Sequence, residues 1–172
     1  SPTYLQESGI MTAAESKLAF SIHNYVGAVG TIICGWISAK FFKGKCAPAN
    51  VIFMSLVTVG ALIYWQIPAL AAATGIAAKV WAYVALILIG FCIYGPVALV
   101  TIQAVNLVPK NATGTAAGFV GIFGYLVGDS LLSKIIVGSV ADYSWNAANL
   151  TMVIGAALGV VLCILTIKSE KA

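Results

Sequence analysis

The polar side chains that stand out are those embedded in long uncharged runs. From Asn111 through Gly128 the chain holds 18 residues without a charge, and Asp129 follows at once. On a helix, Gly114, Gly118 and Gly121 share one face, which Tyr125 and Asp129 continue. Small residues at this spacing let two helix backbones approach closely in lipid. That face therefore offers a packing groove, then a phenol, then a carboxylate. An ionised group at membrane depth costs about 2.5–3.5 kcal/mol on insertion scales, so it needs compensation. Asp129 accordingly has either a cation on another helix or a wet pathway beside it. Lys134, five positions on, lies on a different face and can snorkel to the headgroups.

Other polar groups are fewer and more scattered. Tyr94-Gly95-Pro96 falls in the middle of an apolar run. Proline removes a backbone donor and crowds the preceding turn, which predicts a kink there. Such a break either exposes carbonyls to a binding cavity or serves packing alone. His23 and Asn24 are adjacent in an earlier run, and no second histidine exists. A lone histidine in a membrane helix reads as an interhelical hydrogen-bonder before a metal ligand. Cys34, Cys46, Cys92 and Cys163 show no paired spacing and read as free, buried thiols. Gln103 and Asn106, one turn apart, read as glue between helices. No nucleophile–base set, phosphate-cradling loop or metal cluster is discernible, which argues against an enzyme and predicts no cofactor.

The elements that position these groups follow from composition. Of 172 residues, 61% are hydrophobic and 8% charged, against about 25% charged in globular proteins. That is too little charge for a water-exposed surface, so the solvent is a lipid bilayer. Lysines and carboxylates divide the chain into long runs, predicting membrane spans at about 18–39, 49–67, 80–108, 112–140 and 145–167. Residues 1–16 read as an outer loop, in which SPTYL ends a span that starts earlier, and 168–172 as a tail. Pro68 to Ala78 reads as a connecting loop. Each span must be helical, because bare backbone finds no water in the bilayer, and the runs are too long for barrel strands. Lys40, Lys43 and Lys45 crowd one connection, Lys110 lies in another, and Lys168 and Lys171 follow the last span. Five antiparallel spans put all three on one side, the cytoplasmic side, with Ser1 outside. The net charge of +4 comes from lysine alone, and no basic–aromatic face suggests nucleic acid. The first residue is Ser, and the chain reads as a piece of something longer.

Three strings bear a family likeness. FCIYGPVALVTIQAVNLVPKNATGTAAGFVGIFGYLVGD resembles the tenth and eleventh helices of the organophosphate:phosphate antiporters of the major facilitator superfamily. TIICGWISAKFFKGK resembles the end of their eighth helix with its basic loop, and GSVADYSW the turn before the twelfth. The likeness covers nearly the whole chain. It implies an all-α integral membrane protein: helices 8–12 of a twelve-helix fold, part of its C-terminal half, in the bacterial inner membrane. It further implies exchange of a phosphorylated small molecule, glycerol 3-phosphate or a sugar phosphate, for inorganic phosphate by alternating access.

In that family the phosphate is held by arginines of the first and seventh helices, both before residue 1, in keeping with the absence of arginine here. The missing N-terminal helices are thus implied partners. Tyr94 and Tyr125 match pore-facing tyrosines whose phenols are suited to donate to a phosphate oxygen. Asn24 stands where the family commonly has an acid, and Ala39 where the superfamily loop has Asp. The glycerol-3-phosphate branch lacks charges matching Asp129 and Lys134, which favours a sugar phosphate. The expected substrate-binding residues are therefore Tyr94, Tyr125, Asn24 and Asp129. A second reading is a membrane sensor of sugar phosphate on the same fold, which binds without transporting.

Overall fold

A computed structural model describes residues 2–124, 126 and 144–169. Tyr125, Asp129 and Lys134 lie outside the described residues, as does most of the expected span 112–140. The described residues are helical, with no strand among them. In chain order the helices are α1 (Pro2–Glu7), α2 (Ala13–Phe41), α3 (Cys46–Trp65), α4 (Ile67–Thr74) and α5 (Ala78–Asn106). A 3₁₀ turn (Lys110–Ala112), α6 (Thr113–Ile122) and α7 (Trp145–Ser169) follow. Among the described residues, four helices have the length and apolar character to cross a membrane: α2, α3, α5 and α7 through Ile167. The molecule is an all-helical, multi-pass membrane protein.

The helices begin earlier than charge spacing alone suggests. The expected outer loop 1–16 contains α1 and the start of α2. Thr12 and Glu15 form a capping box, each side chain taking a hydrogen bond from the other's backbone N–H. This satisfies donors that a helix start leaves unpaired, so α2 begins at Ala13 and not near Leu18. The expected loop after Pro68 is also largely helix. Pro68 sits in the first turn of α4, where its missing N–H costs nothing, and Gly75, at φ +68°, ends that helix in the left-handed region. At Pro96 no break appears: α5 runs through it, with Pro96 buried. In membrane helices, packed neighbours and small local adjustments accommodate the lost bond.

Helix α5 is central. It packs on α2 along one side and on α3 along another, and α3 packs in turn on α7. Helices α2 and α5 start at the same end, where Lys79 Nζ meets Glu15 Oε1 at 2.7 Å. At 29 residues each, and about 1.5 Å per residue, they exceed a hydrocarbon core of about 30 Å and carry their charges past its edges. The Glu15–Lys79 end is also aromatic. Tyr4 lies 5.5 Å from both Tyr64 and Trp145, and Trp145 Nε1 donates to Glu7 at 2.7 Å. Trp65 Nε1 donates to Asn146 at the same level. Indoles and phenols with one wet edge suit the membrane interface. The opposite end holds Lys40 over the Trp36 ring at 4.6 Å, then the Lys43–Lys45 turn.

The expected groove on the face of Gly114, Gly118 and Gly121 belongs to a span that lies largely outside the described residues. A side chain at Gly114, Gly118 or Gly121 would meet nothing within 4 Å among the described residues. The close helix contact is between α2 and α5. A Cβ on Gly30 would collide with the Phe91 carbonyl, and one on Gly27 with the Tyr94 ring. One on Gly90 would lie 2.5 Å from the His23 carbonyl oxygen, and one on Gly95 2.5 Å from Cys34 Cβ. The backbones therefore touch, which maximises dispersion contact where lipid offers no hydrophobic drive. Gly30→Ala should destabilise the detergent-solubilised protein by about 1–3 kcal/mol, the usual cost of overpacking. Gly35→Ala, in open space on the same helix, should be neutral or stabilising. Thermal unfolding of both variants checks this, and equal effects would contradict it.

Candidate functional site

The α2–α5 contact brings together polar side chains distant in sequence. Asn24 and Tyr94 lie in the middle third of their helices, 70 positions apart, and the Tyr94 hydroxyl donates to Asn24 Oδ1 at 2.6 Å. Both side chains are exposed, Tyr94 by 39%. His23, half-buried beside them, has Nδ1 2.8 Å from the Leu86 carbonyl oxygen of α5. Its ring stacks on Phe20 at 5.6 Å and tilts against Tyr94 at 6.1 Å. Asn24 Nδ2 donates back to the Phe20 carbonyl at 3.0 Å.

Glycine makes this arrangement possible. Gly27, one turn after His23, leaves the space that the Tyr94 ring occupies, and Gly90 lets α5 lie against the backbone of His23. Any side chain at either place would push Tyr94 away from Asn24. The middle thirds of α2 and α5 carry no Asp, Glu, Lys or Arg. The cluster is dipolar, and its hydrogen bonds form where water does not compete fully.

Two of the four expected binding residues, Tyr94 and Asn24, are thus joined directly. The other two, Tyr125 and Asp129, lie outside the described residues. His23 bonds across helices, as its type suggested, but its place beside Tyr94 was not foreseen. The available signal was the small-residue spacing of Gly27, Gly30 and Cys34 on one face of α2.

Other features of the described residues offer less chemistry. A shallow depression of about 250 Å³ between α3 and α7 is lined by Ser55, Thr58, Val59, Ala157 and Val160. The Ser55 and Thr58 hydroxyls are spent on their own helix. Asn50 is 1% exposed in the face of α3, and its amide makes no hydrogen bond among the described residues. No group of three or more His, Cys, Asp or Glu side chains among the described residues is placed to hold a metal.

The fold and the site define a multi-pass helical membrane protein with a polar cluster, free of Asp, Glu, Lys and Arg, on an open face between two spans. Comparison with known proteins narrows this. No protein-family model matches the chain. It is 42% identical to the glycerol-3-phosphate transporter of Bacillus subtilis (strain 168), over 99% of this chain and 37% of that protein. It is 38% identical to the glycerol-3-phosphate transporter of Haemophilus influenzae, over 99% of this chain and 37% of that protein. It is 30% identical to the membrane sensor protein UhpC of Escherichia coli (strain K12), over 92% of this chain and 34% of that protein. The chain therefore belongs to the organophosphate:phosphate antiporter family of the major facilitator superfamily. It spans little more than a third of the length of these relatives.

The Tyr94–Asn24 bond has a measurable energetic consequence. Tyr94→Phe and Asn24→Leu, alone and combined, should be non-additive by about 1 kcal/mol in unfolding free energy, the net worth of one hydrogen bond. Denaturation of the three variants in detergent gives the coupling, and strict additivity would show that the two side chains do not bond.

Proposed function

We propose that the chain supplies helices eight to twelve of an antiporter that exchanges a phosphorylated small molecule for inorganic phosphate. The observation that carries this reading is the collinear likeness to glycerol-3-phosphate transporters over 99% of the chain. The organic substrate is glycerol 3-phosphate or a sugar phosphate, the second favoured by the charges at Asp129 and Lys134. Transport proceeds by alternating access, with two helical halves rocking about a site at the bilayer midplane. Tyr94 and Asn24 border that site from this half, together with Tyr125 and Asp129. The other half, with the cations that neutralise the phosphate, comes from N-terminal helices of the same protein. The Lys43 and Lys110 connections face the cytoplasm of a bacterial inner membrane, with Ser1 outside. No enzymatic step is involved.

A second reading has its own support. The likeness to the sensor UhpC, at 30% identity, fits a protein that binds a phosphorylated ligand and signals without moving it. The two readings separate in one experiment. The full-length protein in liposomes loaded with phosphate should accumulate external labelled glycerol 3-phosphate or glucose 6-phosphate only when phosphate is inside. Uptake without internal phosphate would contradict antiport, and saturable binding without uptake would establish the sensor reading. The 172-residue chain alone should exchange nothing, since it holds one side of the site.

A further inference from the structure

We propose that the His23–Asn24–Tyr94 cluster recognises the hydroxylated carbon skeleton of the organic substrate and not its phosphate group. This rests on the antiport reading and assigns the two ends of the substrate to different walls of the site. It also reverses the role expected of Tyr94 as a phosphate donor.

Hydrogen bonds to backbone carbonyls set the direction of every bond in the cluster, because a carbonyl oxygen only accepts. The Phe20 carbonyl, 3.0 Å from Asn24 Nδ2, orients the amide so that Oδ1 faces Tyr94. Oδ1 also only accepts, so the 2.6 Å contact consumes the single proton of the phenol. Independently, the Leu86 carbonyl at 2.8 Å places a proton on Nδ1 of His23. In the neutral imidazole, Nε2 then carries a lone pair. The cluster thus presents the phenol oxygen and Nε2 as acceptors, against one remaining N–H of Asn24.

Such a surface discriminates between the two ends of an organophosphate. A phosphate dianion is nearly all acceptor and needs charge-assisted donors. Here it would meet the phenol oxygen and the Nε2 lone pair of a neutral imidazole, with no Asp, Glu, Lys or Arg in the middle third of either helix. A carbon-borne hydroxyl can donate to either acceptor, and the exposed Phe20 ring stacked on His23 gives C–H groups an apolar wall. Binding phosphate through Tyr94 would first require breaking its bond to Asn24.

The test compares two ligands on the full-length protein in proteoliposomes. Labelled phosphate:phosphate exchange is inhibited by unlabelled phosphate, and separately by glycerol 3-phosphate or glucose 6-phosphate, whichever the wild type exchanges. The readout is the half-inhibitory concentration of the organophosphate divided by that of phosphate. Tyr94→Phe removes the acceptor and should raise this ratio about tenfold, the loss of one hydrogen bond. Asn24→Leu, which leaves the fold of α2 intact if Tyr94→Phe does not express, releases the phenol proton and should also raise the ratio, by tightening phosphate. A ratio unchanged or lowered in both variants, with the wild type exchanging both compounds, overturns the assignment alone. A wild type that exchanges neither compound overturns the antiport reading and the assignment with it.

Discussion

Backbone contact between α2 and α5 is the constraint on which the rest depends. In lipid, neighbouring helices gain nothing from expelling water, so the association free energy comes from van der Waals contact and hydrogen bonds. Gly30 against the Phe91 carbonyl and Gly90 against the His23 carbonyl bring the two main chains to touching distance. Only at that separation does the Tyr94 hydroxyl reach Asn24, and the imidazole of His23 reach the Leu86 carbonyl. The ion pair Glu15–Lys79 ties the same two helices at one end. Being largely exposed, it fixes relative register more than stability.

The absence of Asp, Glu, Lys and Arg around the cluster follows from its setting. An ionised side chain in mid-membrane is costly unless paired, and the middle thirds of α2 and α5 offer no partner. Two amino-acid side chains oriented by carbonyls supply polarity without that cost. An acid at position 24 would hold the tyrosine more tightly and add a negative charge; Asn24 keeps the hydrogen bond and omits the charge.

The fold was largely legible, for a physical reason. Lipid forbids unpaired backbone, so an apolar run between lysines must be helical, and α2, α3, α5 and α7 lie where the runs lie. Their exact starts needed local chemistry: the Thr12-Ala-Ala-Glu15 cap is visible in the sequence and marks the start of α2, and Pro68 is as compatible with a first helical turn as with a loop. Which face meets which neighbour was not legible. Spans apolar on nearly all sides carry little periodicity, so nothing in the sequence set Gly27, Gly30 and Gly90, which meet a neighbouring helix, apart from the glycines of the later span. Tyr94 and Asn24 came to notice through family likeness and a departure from it, since nothing in spacing relates residues 70 apart. The anchors of the cluster are the carbonyls of Phe20 and Leu86, and a carbonyl has no signature in the sequence.

The central claim is that the open face bearing Asn24 and Tyr94 borders water and substrate, not acyl chains. Its most direct test is the reaction of Asn24→Cys in the full-length protein, in membranes, with a membrane-impermeant thiosulfonate. Cys34, Cys46 and Cys92 are buried, Cys163 is half-buried, and the parent protein without the substitution gives the background to subtract. The account predicts modification that a saturating organophosphate slows severalfold. A thiol at position 24 that stays unmodified from both sides of the membrane, and reacts only with lipid-soluble maleimides, would contradict it.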